Sequence, residues 1–302
     1  MTFGDRVADR VRARESPLLL GLDPDPAELL PVAHAAALGD SPAERAGAAV
    51  SAHCRALVDA TAGACAGVKL QLACFERLGW PGARALGEVA EHARAAGLLV
   101  VADGKRGDVP HTAAVYAQAQ LGGTDTPWGT VPGLGADAVT ANPMLGRDAL
   151  EPLVAAARAA GAGVFVLVRT SNPGAAEIQD AAPAGQAPLR DRLADLVREL
   201  GAGGVGREGL SDVGAVVAAT EPGLLAALRA RMPAAVMLLP GVGAQGGRIE
   251  DLAPAFGGRP GAALVTVSRS IAGAAVEAGD AAAALPVAEG LRVEAWRVAT
   301  AA

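Results

Sequence analysis

Eight short apolar stretches recur along the chain, at 17–23, 67–71, 98–103, 136–141, 164–169, 213–218, 236–240 and 263–267, and each is followed by a segment with helical patterning. The helical segments fall at 41–62, 82–96, 109–121, 147–160, 189–200, 221–231, 248–256 and 282–298. The stretches are apolar at nearly every position, not at alternate ones, which marks strands buried on both faces as in a parallel sheet. Parallel neighbours need a long crossover, and a helix between each pair supplies it. Eight such units with no break in composition predict an α/β chain folded as one (β/α)8 (TIM) barrel domain over 1–302. A short polar helix at 2–15, with Val7 and Val11 at i, i+4 spacing, precedes it, and a C-terminal helix closes it. A doubly wound open sheet is the alternative, but such sheets usually have fewer strands. The Gly/Pro-rich segment 122–135 and the Pro/Gly/Gln-containing segment 175–188 read as loops.

The chain has 302 residues, 51% of them apolar, enough for a large core. A net charge of -6 provides no basic field, so nucleic acid and anionic membrane surfaces are poor partners and any anion site must be local. The first fifteen residues include Asp5, Arg6, Asp9 and Arg10 and lack a signal-peptide apolar region, and no apolar run has membrane-spanning length. A cytoplasmic protein is expected. Cys54, Cys65 and Cys74 are odd in number and lack C-x-x-C spacing, as free thiols in a reducing compartment would be. His34, His53, His92 and His111 have no ligand spacing, so no metal site is expected.

In a barrel of this kind the active site lies at the C-terminal ends of the strands. The polar residues there are Asp23, Lys69, Asp103 with Lys105, Thr140 with Asn142, Ser171 with Asn172, Gln245 and Arg269. Of the 26 Lys and Arg residues only Lys69 and Lys105 are Lys, and both are in this set. Arg is permanently charged and bulky, whereas Lys is a compact ammonium able to deliver a proton. Composition alone leaves chance retention open; position favours chemistry. Asp103 and Lys105 are two apart at a strand end, so both point to one face. Asp108 follows on the loop entering the next helix, within reach of the same site or a neighbouring subunit. Lys69, Asp103, Lys105 and Asp108 would form an alternating charge array; the competing reading is a structural salt-bridge cluster, which belongs at the opposite rim. The P-G-V-G-A-Q-G-G loop after the seventh strand is by itself an ordinary tight turn. Paired with S-R-S after the eighth, it points to a phosphorylated small molecule held by Gln245 and Arg269.

The run Asp103-Gly-Lys-Arg-Gly-Asp108, followed by Thr112 and Tyr116, resembles the D-x-K-x-x-D-I motif of the orotidine 5'-phosphate decarboxylase family. The K-R-G-D form, T-S-N-P-G at 170–174 and the chain length are similar to its longer, second subfamily. The resemblance covers about 12–275, with Val109 where Ile is usual and with Pro110 and the 122–135 segment less typical. It implies that Lys105 protonates the C6 carbanion left when CO2 departs, that Asp103 sits against the substrate carboxylate, and that Lys69 completes the network. It further implies that Asp108 and Thr112 reach the partner's site across a homodimer interface. Asp23 would bind the ribose, Ser171 the pyrimidine, and Gln245 and Arg269 the phosphate, with no cofactor or metal. Two rivals are weighed: a Mg2+-dependent sugar-phosphate aldolase or decarboxylase on a related barrel, against which Lys69 stands at the second strand end with no acid beside it, and a nucleotide-sensing or scaffold barrel that keeps the phosphate site without the chemistry, against which the intact Lys/Asp array speaks.

Overall fold

Parallel pairing closes the eight apolar stretches into a ring. The computed structural model describes residues 1–301, and the barrel strands are β1 (Leu18–Leu22), β2 (Gly67–Gln71), β3 (Leu99–Arg106), β4 (Ala138–Ala141), β5 (Gly163–Arg169), β6 (Val213–Val217), β7 (Met237–Leu239) and β8 (Ala263–Val267). Each pairs with its sequence neighbours, and β8 returns to β1 with Leu19 opposite Thr266. The expected (β/α)8 barrel is the observed fold.

The strands are largely apolar because both faces are covered, and their charged residues gather toward the C-terminal ends. Leu18, Leu20, Val100 and Val164 point outward into the shell of helices, while Leu19, Leu99, Val101, Phe165 and Leu238 fill the interior. The longest shell helix, α2 (Pro42–Thr61), starts at a capping box in which Ser41 and Glu44 satisfy each other's backbone N–H groups.

The N-terminal helix α1 (Phe3–Arg14) does more than its polar sequence suggests. Phe3, Val7 and Val11 are buried and plug the N-terminal end of the barrel, with the Phe3 ring edge-on to Phe165 at 5.7 Å. Gly163 makes room for it, since a Cβ there would lie 2.3 Å from the Phe3 ring. Charges around the plug are paired locally: Arg6 with Asp137, whose other oxygen accepts from Val100 N at 2.8 Å, and Arg158 with Asp212 at 2.6 Å.

Several segments depart from the sequence reading. The 122–135 segment contains an antiparallel hairpin, Gly123–Thr126 with Gly129–Pro132, whose tip carries the almost fully exposed Trp128. Residues 175–188 include a one-turn helix at Ala175–Gln179. A helix at Arg269–Ala278, rich in Ala and Gly and so weakly patterned, precedes the final helix at Ala284–Ala301.

Candidate active site

The end of β3 carries an uncommon backbone. The strand runs on through Arg106, and its pairing with β4 shifts register between Ala102 and Arg106. Lys105 takes φ 47°, in the left-handed region that costs a residue with a Cβ roughly 1–2 kcal/mol. Gly107 lets the turn press on β4, where a Cβ would sit 2.8 Å from the Asn142 carbonyl oxygen. Within this turn the Lys105 Nζ lies 2.7 Å from Asp103 Oδ1.

Asp103 is the centre of the array. Its Oδ2 accepts from Lys69 Nζ at 3.0 Å, and its Oδ1 accepts from Thr140 Oγ1 at 2.8 Å as well as from Lys105. Lys69 Nζ also lies 3.3 Å from Asp23 Oδ1, so charge alternates along Asp23, Lys69, Asp103 and Lys105. The two inner side chains, Lys69 and Asp103, are each 7% exposed, while Asp23 and Lys105 at the ends are 37% and 41% exposed. Burial alone would raise the Asp103 pKa, but the charges of Lys69 and Lys105 and their hydrogen bonds outweigh it and hold the carboxyl at about 2. Lys69 shows the mirror case: burial disfavours its charge, yet Asp103 and Asp23 together leave its pKa raised.

This array forms one wall of a cavity of about 460 Å3, a volume suited to a small ligand. The interior side chains Leu167, Val216 and Leu238 line it lower down, and Ser171, Gln245 and Arg269 contribute from the β5, β7 and β8 ends. Gln245 is exposed on a loop closed by Gly243 N to Gly247 O at 2.9 Å and Gly247 N to Gly241 O at 3.0 Å. Arg269 is exposed at the start of α4 (Arg269–Ala278), beside that helix's free backbone N–H groups. The Ser171 segment is anchored by Arg169, which is buried and ion-paired with Asp180 at 3.0 Å and Glu221 at 3.1 Å.

Asp23, Lys69, Asp103, Lys105, Ser171, Gln245 and Arg269 thus share one cavity, whereas Asp108 and Thr112 do not line it. Asp108 turns its Oδ1 to the Val109 backbone N–H at 2.8 Å, and Thr112 is half-buried in α3 (Pro110–Leu121). Gln71 and Gln179 line the cavity without having been singled out. Gln71 is two residues past Lys69 on the same strand, so its phase was available in the sequence; Gln179 ends the one-turn helix Ala175–Gln179, in a segment whose composition reads as a loop, and left no such signal.

A family model described as "Orotidine 5'-phosphate decarboxylase / HUMPS family" matches residues 16–285. The chain is 41% identical over 274 residues to the orotidine 5'-phosphate decarboxylase of Rhodopirellula baltica, covering 90% of this chain and 88% of that one. It is 42% identical over 271 residues to that of Deinococcus radiodurans, covering 89% of each. A crystal structure of a Streptomyces avermitilis protein assigned to the same activity overlays with a TM-score of 0.80 at 35% identity, over 100% of this chain and 97% of that one.

Proposed function

The chain belongs to the orotidine 5'-phosphate decarboxylase / HUMPS family, and from that premise we propose a division of labour at the barrel mouth in which Lys105 is the acid. The reaction is the decarboxylation of orotidine 5'-phosphate to UMP in pyrimidine biosynthesis. The bond between C6 and the carboxylate breaks, its electron pair stays on C6 as CO2 leaves, and Lys105 Nζ gives its proton to C6. The neutral amine then regains a proton from solvent. The single observation that carries this reading is the Asp23, Lys69, Asp103, Lys105 chain on the cavity wall, with the Lys105 ammonium at its open end.

A carbanion on a ring carbon with no electron sink has to be stabilised electrostatically, and fixed ammoniums in a water-poor site do that most effectively. Asp103 stands against the departing carboxylate, and Lys69 keeps Asp103 ionised and in place. Asp23 takes the ribose, Ser171 the pyrimidine, and Gln245 with Arg269 the phosphate, whose remote binding energy helps drive the chemistry. Lys69 at the end of β2 occupies a place where a Mg2+-dependent sugar-phosphate enzyme would want a carboxylate. The reading therefore needs no metal or cofactor.

Asp108 and Thr112 act in the site of a second copy, in a homodimer. Their position outside their own chain's cavity supports this, as do the exposed Val109 and Val115 on or beside α3 and Met144 just past β4. A cytoplasmic setting fits three cysteines that form no disulfide.

The test is ultraviolet-monitored decarboxylation of orotidine 5'-phosphate. Turnover unchanged by EDTA is expected, and dependence on added Mg2+ would contradict the reading. Mixing Lys105→Ala with Asp108→Ala protein should restore part of the activity through one intact site per heterodimer; no recovery would assign Asp108 to its own chain.

A further inference from the structure

Thr140 carries two bonds that none of the roles above uses. Its hydroxyl has one proton, donated to Asp103 Oδ1 at 2.8 Å, and its lone pair accepts the Lys105 backbone N–H, also at 2.8 Å. The residue is 1% exposed at the end of β4, so water does not compete for either bond. One hydroxyl therefore ties together the carboxylate at the centre of the array and the backbone of the residue in the left-handed turn.

We infer that Thr140 is a positioning residue for this decarboxylation: its hydroxyl holds the turn that keeps the Lys105 ammonium beside Asp103 and aimed into the cavity. The inference rests on the decarboxylase reading. A left-handed Lys is strained, and it persists only where surrounding bonds over-determine it. The irregular pairing between Ala102 and Arg106 leaves this stretch without a regular strand ladder, and the Thr140 bond anchors the Lys105 N–H there. Were the turn to relax to negative φ, the Lys105 side chain would swing away from Asp103. Asp103 Oδ1 would at the same time lose one of its two donors. Valine matches the shape of threonine and makes neither bond; serine makes both and lacks only the methyl.

In Thr140→Val, kcat for orotidine 5'-phosphate should fall about 10- to 100-fold, while KM stays within about threefold because the phosphate, ribose and pyrimidine contacts lie elsewhere. The acidic limb of the kcat–pH profile should move upward, since Asp103 loses a bond to its ionised form. Thr140→Ser should recover most of the rate. A purely structural hydroxyl would instead lower Tm and leave kcat per folded molecule, and its pH profile, unchanged. Wild-type kcat in folded Thr140→Val, or a Thr140→Ser protein as slow as the valine variant, would overturn the inference. Absence of turnover in the wild-type protein would remove the decarboxylase reading itself, an outcome distinct from either.

Discussion

The two ends of the barrel both carry charged side chains, and they use them differently. At the N-terminal end Arg6 meets Asp137 and Arg158 meets Asp212, and the same arginines donate to the carbonyls of Gly161 and Leu200. These are local pairs that staple chain segments around an apolar plug of Phe3, Val7 and Val11. At the C-terminal end the charges form a connected chain beside an open cavity, and the terminal Lys105 and the nearby Arg269 stay exposed. Similar residue types thus close one end and equip the other. What distinguishes the two charge clusters is that the last member of the one at the mouth is left facing a space a ligand can enter.

That contrast gives opposite expectations for substitutions at the two ends. Asp103→Asn removes the centre of the mouth array and should lower kcat by about 10^3-fold, equivalent to ~4 kcal/mol; a loss under tenfold would make the array structural after all. Phe3→Ala at the other end should cost about 3–4 kcal/mol in denaturant unfolding, with kcat per folded molecule unchanged. A selective loss of kcat in that variant would erase the distinction between the ends. Arg269→Ala should raise KM for orotidine 5'-phosphate about 10- to 100-fold with a smaller change in kcat, as expected for a lost charge-assisted phosphate contact. An unchanged KM would place the phosphate elsewhere.

The smallest effect expected is on acid stability. The Asp103 carboxyl has a folded-state pKa lowered from 3.8 to about 2, so its contribution is present above about pH 4 and is lost as pH falls through about 2. Between pH 5 and pH 2 the wild type should lose about 2 kcal/mol more unfolding free energy than Asp103→Asn. Parallel curves for the two proteins would show that the lysines do not hold this carboxylate as described.

Much of this was legible in the sequence because barrel strands are regular. An apolar run buried on both faces is hard to mistake, and period-two phase put Asp103 and Lys105 on one face, as it would have put Gln71 beside Lys69; the two side chains do meet, though through the left-handed turn at Lys105 and not through regular alternation. What escaped depends on contacts made only after the ring closes. The burial of Phe3 requires the open end of the barrel and the bare Gly163 opposite it. The 122–135 hairpin needs a pairing that Gly and Pro content does not announce. The left-handed residue in Asp-Gly-Lys-Arg-Gly is the lysine and not the adjacent Gly104, so Thr140 appeared as one more polar strand end with no hint of its two bonds.

Lys105 at the open end of the array is proposed as the proton donor, and kcat measured together with Tm for Lys105→Ala decides that role. A loss of at least about 10^4-fold in kcat is expected with Tm close to that of the wild type, because a side chain 41% exposed contributes little to folding. Full activity in that variant, or a loss no greater than the fraction unfolded, would contradict it.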